Sequence, residues 1–303
     1  MEEYAKRVLP KQRRGHIVAH ELRTFFVKEW GERSVTSIER RDVTDAIKAI
    51  VDRGAMYQAH NLLGHLRALF NWAIATEDYG LEHSPCDRIK PKALIGERKP
   101  RQRVLSDAEL VAFWGATEGM GYPYGPLFRL LLLTGCRKSE IGGARWREID
   151  EGKKLLAIPP DRFKSDAQHL VPLTEAAWAI VEALPRFTKG DYLFSSTFGA
   201  SPVSGFAGAK ERLDGLMAKE LGELEPFRLH DLRRTVRTRL ASLRVADAVA
   251  ELVIGHGKKG LQRVYDQHRY EPEMREALEL WAGRLRDITE VPPANVLKLK
   301  TRA

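Results

Sequence analysis

The chain has 303 residues and a formal net charge of +9, with 43% hydrophobic and 30% charged residues. This apolar content is enough for packed cores and excludes an intrinsically disordered chain. The length exceeds what one hydrophobic core usually serves, so we expect two domains. The surplus of basic residues is compatible with a nucleic-acid partner, although many basic proteins bind none.

The two cysteines, Cys86 and Cys136, lie far apart in the sequence. A structural zinc site needs about four clustered Cys or His ligands, so we predict no metal and no other cofactor. The longest apolar run, residues 127–133, contains Arg129 and is far shorter than the roughly 18 residues of a membrane span. The N-terminus lacks a secretory signal, and few cysteines suit a reducing compartment. These features predict a cytoplasmic protein with no membrane partner.

The first hundred residues carry helical patterns. Apolar side chains recur at helical spacing over residues 16–30, 43–51 and 56–73, and Gly54 is placed to end the second of these helices. Two prolines then interrupt residues 82–92, and residues 97–103 are polar and basic. These features predict an all-helical first domain over residues 1–97 that ends in a linker.

The second domain is predicted over residues 98–290, with a tail at 291–303. Ser106 and Glu109 fit a capping box at a helix start, and residues 123–133 read as a buried helix. Strand-like pieces follow at 155–158, 169–173 and 192–194, with a polar turn between the first two, and helices dominate from residue 174 onward. The predicted fold class is mainly α with a small antiparallel sheet (α+β).

Four short segments of this second domain stand out: Thr-Gly-Cys-Arg-Lys-Ser-Glu (134–140), Phe-Lys-Ser (163–165), Leu-His-Asp-Leu-Arg-Arg-Thr (229–235), and Ile-Gly-His (254–256) with Tyr265 after it. Each is weak alone, since such residues more often cap helices or fill cores. Their order and spacing together resemble the signature boxes of the tyrosine site-specific recombinase (phage integrase) family. The resemblance covers roughly residues 100–285. The N-terminal helices resemble that family's core-DNA-binding domain, less specifically.

The chemistry of that family explains why these residue types belong together. Breaking a phosphodiester needs a nucleophile, an acid for the departing oxygen and positive charge around the phosphorane, which side chains must supply when no metal is used. An arginine fork matches two phosphate oxygens at once. The resemblance implies that Arg137 and Arg233 bind the phosphate and that His256 donates to a non-bridging oxygen. It implies a base or orienting role for His230, which lies one helical turn before Arg233.

The resemblance also implies three further roles. Lys164, between two strand-like segments, matches the family's general acid for the 5′-oxygen, with Lys153 and Lys154 as neighbouring alternatives. Tyr265 matches the nucleophile, with Tyr270 as the alternative, and a phenol needs activation by nearby cations because its ordinary pKa is near 10. Glu140 is expected to support Arg137 through a salt bridge.

The implied function is cleavage, exchange and ligation of DNA strands for integration or excision of a mobile element. The implied partners are double-stranded DNA with specific core sites, further copies of the chain in a tetramer, and accessory DNA-bending proteins. Candidate DNA contacts are Lys11, Arg13, Arg14 and Arg67. The alternatives are a catalytically inactive DNA-binding regulator, a type IB topoisomerase, and a metal-dependent nuclease, for which no carboxylate cluster is evident.

Two features depart from the family pattern. Many integrases carry a further N-terminal domain for arm sites, and this chain starts too close to the core-binding helices to include one. The protein is therefore expected to be either a two-domain recombinase or part of a longer one. Arg244 stands where the family often has glycine, and we expect this to alter a turn and leave the chemistry unchanged.

Overall fold

The computed structural model describes residues 1–12, 14–99, 101–163, 168–256 and 270–290. The chain forms two compact units, Met1–Arg101 and Gln102–Ala303. The boundary predicted after residue 97 falls just before this division. Within the described ranges, no helix is both long and apolar enough to cross a lipid bilayer.

Within its described residues, the regular elements of the first unit are all helices or helical turns. Its helices are α1 (Glu2–Arg7), α2 (Gly15–Leu22), α3 (Lys28–Trp30), α4 (Arg40–Asp52), α5 (Met56–Ala75) and α6 (Pro91–Leu94), and a π-helical turn over Arg23–Val27 joins α2 to α3. The predicted helices are confirmed, and Gly54 follows the end of α4 with a φ of 77°. Val43 and Ile47 of α4 and Leu62 and Leu66 of α5 are buried together in the core of this unit.

The second unit combines helices with one small sheet. Its helices are α7 (Asp107–Met120), α8 (Tyr124–Thr134), α9 (Lys138–Gly142), α10 (Glu175–Glu182), α11 (Phe206–Leu221), α12 (Leu229–Ser242), α13 (Asp247–Val253) and α14 (Glu271–Thr289). The strands β1 (Ile149–Asp150), β2 (Leu155–Ile158) and β3 (His169–Pro172) form an antiparallel sheet in the order β1-β2-β3, with Leu156 opposite both Ile149 and Val171. The predicted mainly α fold with a small antiparallel sheet is confirmed.

The strand predicted at residues 192–194 is wrong. Tyr192 forms a single bridge with Arg145, and the Leu193 amide donates to the Ala144 carbonyl at 2.9 Å. The carbonyl of the following residue, Phe194, accepts from the Val203 amide at 2.9 Å. Successive residues therefore bond to two different segments, and the segment forms no regular β-ladder. The third strand of the sheet is β1 instead.

Hydrogen bonds between side chains and the backbone hold the long helices of this unit in place. The predicted capping box at α7 is present, with the Glu109 amide donating to Ser106 Oγ at 3.3 Å. The amide of Leu105 donates to the buried Thr235 hydroxyl of α12 at 3.0 Å. Trp281 of α14 is fully buried, and its Nε1 donates to the Leu132 carbonyl at 2.8 Å. The apolar face of α14 therefore packs within its own unit.

Arg244 occupies the turn between α12 and α13 with a φ of 61°. This is the left-handed region that glycine adopts readily and that costs other residues about 1 kcal/mol or more. The turn thus keeps a conformation that glycine would favour, and the exposed arginine carries the strain. That Arg244 alters this turn relative to the family stays a prediction.

Candidate active site

Arg137 stands where α8 ends and α9 begins. Gly135 ends α8 with a left-handed φ of 66°. Arg137, two residues later, is the N-cap residue of α9. The Arg137 amide donates to Glu140 Oε2 at 2.7 Å, and its Nη1 donates to Glu140 Oε1 at 2.6 Å. The Glu140 side chain is only 2% exposed. One buried carboxylate therefore holds both the backbone and the guanidinium of Arg137.

Arg233 lies on the inner face of α12 and is 4% exposed. Its Nη1 donates to the Gly135 carbonyl at 3.0 Å, whereas its Nη2 is buried without a hydrogen-bond partner among the described residues. Burial, followed by the charge of Arg137, lowers the pKa of Arg233 to about 10. A buried cationic donor that lacks a hydrogen-bond partner and lies near a second arginine costs folding free energy. An anion that accepts its hydrogen bond and balances its charge would remove that cost.

His230 lies in the first turn of the same helix, one turn before Arg233, and is exposed. Desolvation lowers the pKa of His230, and the charges of Arg234, Arg233 and Arg137 lower it further, while Asp231 opposes them. The ring is therefore neutral near pH 7 and has a lone pair with which to accept a proton. This suits a base next to a group of fixed cations.

His256 follows α13, and its Nδ1 lies 2.5 Å from Glu251 Oε2. Glu251 belongs to the last turn of α13 and was not singled out in the sequence. Between the two, Gly255 has a φ of 66°. A Cβ at position 255 would lie 2.7 Å from Phe163 Cζ and 3.1 Å from His169 Nε2, so the site excludes a side chain there.

Phe163 and His169 lie against Gly255, Phe163 also lies beside Arg137, and neither was identified as a site residue from the sequence. Their rings stack with centroids 4.8 Å apart, and the Arg137 guanidinium lies 5.5 Å from the Phe163 ring centroid. Arg162, immediately before Phe163, donates to the Glu140 carbonyl at 3.3 Å. The chain leading to residue 164 is therefore held against the helix that presents Arg137.

Burial lowers the pKa of His169 to about 4, with Arg233 and Arg137 adding to the effect while Glu140 opposes it. The unfolded chain, with an ordinary histidine pKa of 6.5, takes up this proton more readily than the folded chain does. The stability contributed by the neutral ring is therefore complete above pH 6.5. It is lost as the pH falls toward 4, by about 3 kcal/mol in total.

Urea unfolding of the wild type and of His169→Gln between pH 7 and pH 4 measures this contribution. We expect the free energy of unfolding to fall more steeply in the wild type, because the variant has no proton to take up at this position. Equal slopes for the two proteins would show that His169 is not held neutral by the fold.

A cleft of about 510 Å³ opens beside Arg137 and His230. It is rich in basic side chains, and its other charged lining residues are Lys138, Lys210, Asp214 and Arg228. Lys138 is exposed and its Nζ lies 5.0 Å from the Phe206 ring centroid. Lys210 is paired with Asp214 and lies over the Phe227 ring. Lys138 and Arg228 are therefore further cationic groups that line the same cleft as Arg137.

The candidate general-acid lysines and nucleophilic tyrosines lie only partly within the described residues. Lys164, Tyr265 and Arg13 lie outside the described residues. The alternative lysines are engaged elsewhere, since Lys154 Nζ contacts Glu175 at 2.7 Å and Lys153 Nζ lies 3.6 Å from Asp150. Tyr270 is partly buried against the core at the start of α14.

The candidate DNA contacts of the first unit differ from one another. Lys11 and Arg14 are exposed near the start of α2. Arg67, on α5, donates from Nη2 to the Ile89 carbonyl and is partly buried. Among the residues that the structure describes, no three His, Cys, Asp or Glu side chains are grouped so as to hold a metal ion.

Two family models match the chain, the Phage integrase family over residues 103–271 and the Phage integrase central domain over residues 2–91. The prophage integrase IntZ of Escherichia coli K12 is 27% identical over 263 residues, covering 85% of this chain and 62% of that protein. The integrase of Shigella phage Sf6 is 24% identical over 268 residues, covering 84% and 66%. The chain thus spans about three fifths to two thirds of the length of these relatives.

Solved structures show the same fold at low identity. A lambda integrase dimer bound to a COC′ core site matches with a TM-score of 0.65 and 17% identity, covering 85% of this chain and 93% of that one. The Tn1549 transposon integrase in complex with transposon right end DNA matches with a TM-score of 0.68 and 18% identity, covering 92% and 98%. A lambda integrase tetramer bound to a Holliday junction matches with a TM-score of 0.64 and 16% identity, covering 89% and 79%.

Proposed function

The chain belongs to the phage integrase family, and from that membership we propose that it cleaves and rejoins DNA at specific sites through a 3′-phosphotyrosyl bond. The observation that carries the proposal is the buried Arg233, whose Nη2 has no hydrogen-bond partner among the described residues. Arg137 lies near enough to lower the pKa of Arg233 by its charge. A phosphate between two such guanidinium groups would supply both the missing acceptor and the missing negative charge.

In the proposed reaction, the Tyr265 oxygen attacks the phosphorus and the bond to the 5′-oxygen breaks. His230 takes the phenolic proton, and Lys164 gives a proton to the departing oxygen. Arg137, Arg233 and His256 stabilise the charge that develops on the non-bridging oxygens. The phosphotyrosyl bond retains the energy of the broken one, so a second 5′-hydroxyl can reverse the reaction without ATP. The roles of Lys164 and Tyr265 rest on the sequence resemblance alone.

The proposed setting is the integration or excision of a mobile element. The proposed partners are duplex DNA with specific core sites and further copies of the chain in a tetramer, as in the lambda assembly on a Holliday junction. Accessory DNA-bending proteins fit the same setting, and the bacterial nucleoid is where such a substrate lies. Lys11, Arg13 and Arg14 are proposed to follow the DNA backbone. Arg67 is proposed as a DNA contact that also supports the segment carrying Ile89.

A nicked suicide substrate tests the function. Duplexes with a randomised core, nicked near the centre, lose their short strand on cleavage and trap the covalent intermediate. We expect adducts that resist denaturation, form in the presence of a chelator, and enrich one core sequence.

No adduct from any duplex would favour the inactive regulator. Relaxation of a supercoiled plasmid by the monomer, without a partner site, would favour the type IB topoisomerase, and loss of activity with chelator would favour a metal-dependent nuclease.

The basic cleft leads to a separate prediction about affinity. Lys138 is exposed beside Arg137, and if it neutralises one phosphate, Lys138→Ala should lower the slope of log Kd against log salt by about 1. Binding titrations at several salt concentrations measure this slope. Lys219→Ala is the control, because Lys219 lies toward the other end of α11, about 20 Å along the helix from Phe206. Equal slopes for Lys138→Ala and the wild type would remove the cleft from the DNA path.

A further inference from the structure

Glu251 joins the two histidine-bearing segments of the candidate site. One of its carboxylate oxygens, Oε2, lies 2.5 Å from His256 Nδ1, and the other, Oε1, accepts from Arg237 Nε at 2.8 Å. Arg237 lies on α12, one helical turn after Arg233, and its Nη2 also pairs with Asp247 at the start of α13. The carboxylate is therefore held from a second helix and cannot turn freely.

The backbone holds the same pair of residues together. The His256 amide donates to the Glu251 carbonyl at 2.8 Å, and the Gly255 amide donates to the Leu252 carbonyl at 2.8 Å. This is the usual way in which a left-handed glycine closes a helix. His256 is thus linked to Glu251 through its main chain and through its ring, so one residue sets both the position and the rotation of the imidazole.

The chemistry of the pair assigns the ring nitrogens. A carboxylate only accepts hydrogen bonds, so Nδ1 must carry a proton toward Glu251. Burial alone would raise the pKa of Glu251, but hydrogen bonds from Arg237 and His256 outweigh it and lower that pKa, so the group is ionised near neutral pH. With Nδ1 engaged, Nε2 is the nitrogen left for a phosphate. Donation from Nε2 as well requires the doubly protonated ring, whose charge Glu251 balances.

We propose that Glu251 is a positioning residue that fixes the rotation of His256 and keeps its Nδ1 protonated, so that Nε2 faces the scissile phosphate. The inference rests on the proposed function and deepens it. In this proposal Glu251 acts through His256. Replacing residues that orient metal-binding histidines costs about 10-fold to 100-fold in activity, and we expect an effect of similar size here.

A double-mutant cycle tests whether Glu251 acts through His256. The variants are Glu251→Gln, His256→Ala and the combination, each assayed for single-turnover cleavage of the suicide substrate at saturating protein. Glu251→Gln keeps the size of the side chain but has one acceptor oxygen for two donors. We expect it to slow cleavage about 10-fold to 100-fold alone, and by less than about 3-fold once His256 is alanine. An equal loss in both backgrounds would overturn the proposal.

Two further measurements separate a positioning role from a purely structural one. Glu118→Gln removes an exposed carboxylate that is paired with Arg129 on the surface and should cleave like the wild type. In the DNA-free protein labelled with ¹⁵N-histidine, the Nδ1 proton assigned by its loss in His256→Ala should also be lost in Glu251→Gln. Its retention would overturn the proposal whether or not the variant cleaves DNA. If the wild type forms no adduct, the proposed function fails, and the inference about DNA cleavage falls with it.

Discussion

Replacing Tyr265 with phenylalanine (Tyr265→Phe) is expected to abolish the covalent adduct, lowering cleavage by more than about 10⁴-fold. The variant loses only the phenolic oxygen, which the proposed reaction uses as its nucleophile. DNA affinity should stay within about 3-fold of the wild type, because the cationic contacts are retained. The measurement is adduct formation on the nicked substrate, with mass spectrometry of the trapped peptide to identify the modified residue.

Tyr270→Phe is the matched control for this prediction. Tyr270 is the N-cap residue of α14, with a φ of 54°, and packs partly buried against the core of its unit. We expect this variant to form the adduct and the modified residue to be Tyr265. An adduct that persists in Tyr265→Phe and disappears in Tyr270→Phe would transfer the nucleophile to Tyr270 while leaving the family unchanged.

Replacing Arg233 with lysine (Arg233→Lys) is expected to slow cleavage about 10²-fold to 10³-fold, with a much smaller effect on DNA affinity. Lysine keeps the charge but cannot bridge the Gly135 carbonyl and a phosphate oxygen with one planar group. Arg233→Met should cleave still more slowly. It should also raise the free energy of unfolding of the DNA-free protein by about 1 kcal/mol, because it removes a buried charge that lies near Arg137.

Single-turnover cleavage and urea unfolding measure these two effects. Arg239→Lys is the control on the same helix, since Arg239 donates to the Leu105 carbonyl at 3.2 Å and pairs with Asp107. We expect it to cleave at the wild-type rate. Cleavage by Arg233→Lys at that rate would remove Arg233 from the chemistry, and a marked loss of stability in Arg233→Met would show that the buried charge supports the fold.

The sequence predicted those parts of the fold and site that depend on neighbours along the chain. Ser106 and Glu109 mark a helix start because they bond within one turn, and Gly54 marks a helix end because it adopts a left-handed conformation readily. Arg137 and Glu140 pair across one turn of α9 in the same way. These relations have fixed spacings, so the residue order reveals them.

The parts that the sequence did not predict depend on distant contacts. His169 has the character of an ordinary strand residue, and only its stacking on Phe163 and its burial near the arginine pair place it at the site. The segment 192–194 has strand-like composition, but its hydrogen-bond partners lie on two different segments. Glu251 could have been found, because a glycine just before His256 implies a helix end that links residues five apart.

Gly255 lets the end of α13 pack directly against the turn after β2. With no side chain there, the ring of Phe163 and the edge of His169 reach the backbone that leads into His256. Close-packed groups transmit strain to one another. Any displacement of the Phe163 ring would therefore also displace the backbone that leads into His256.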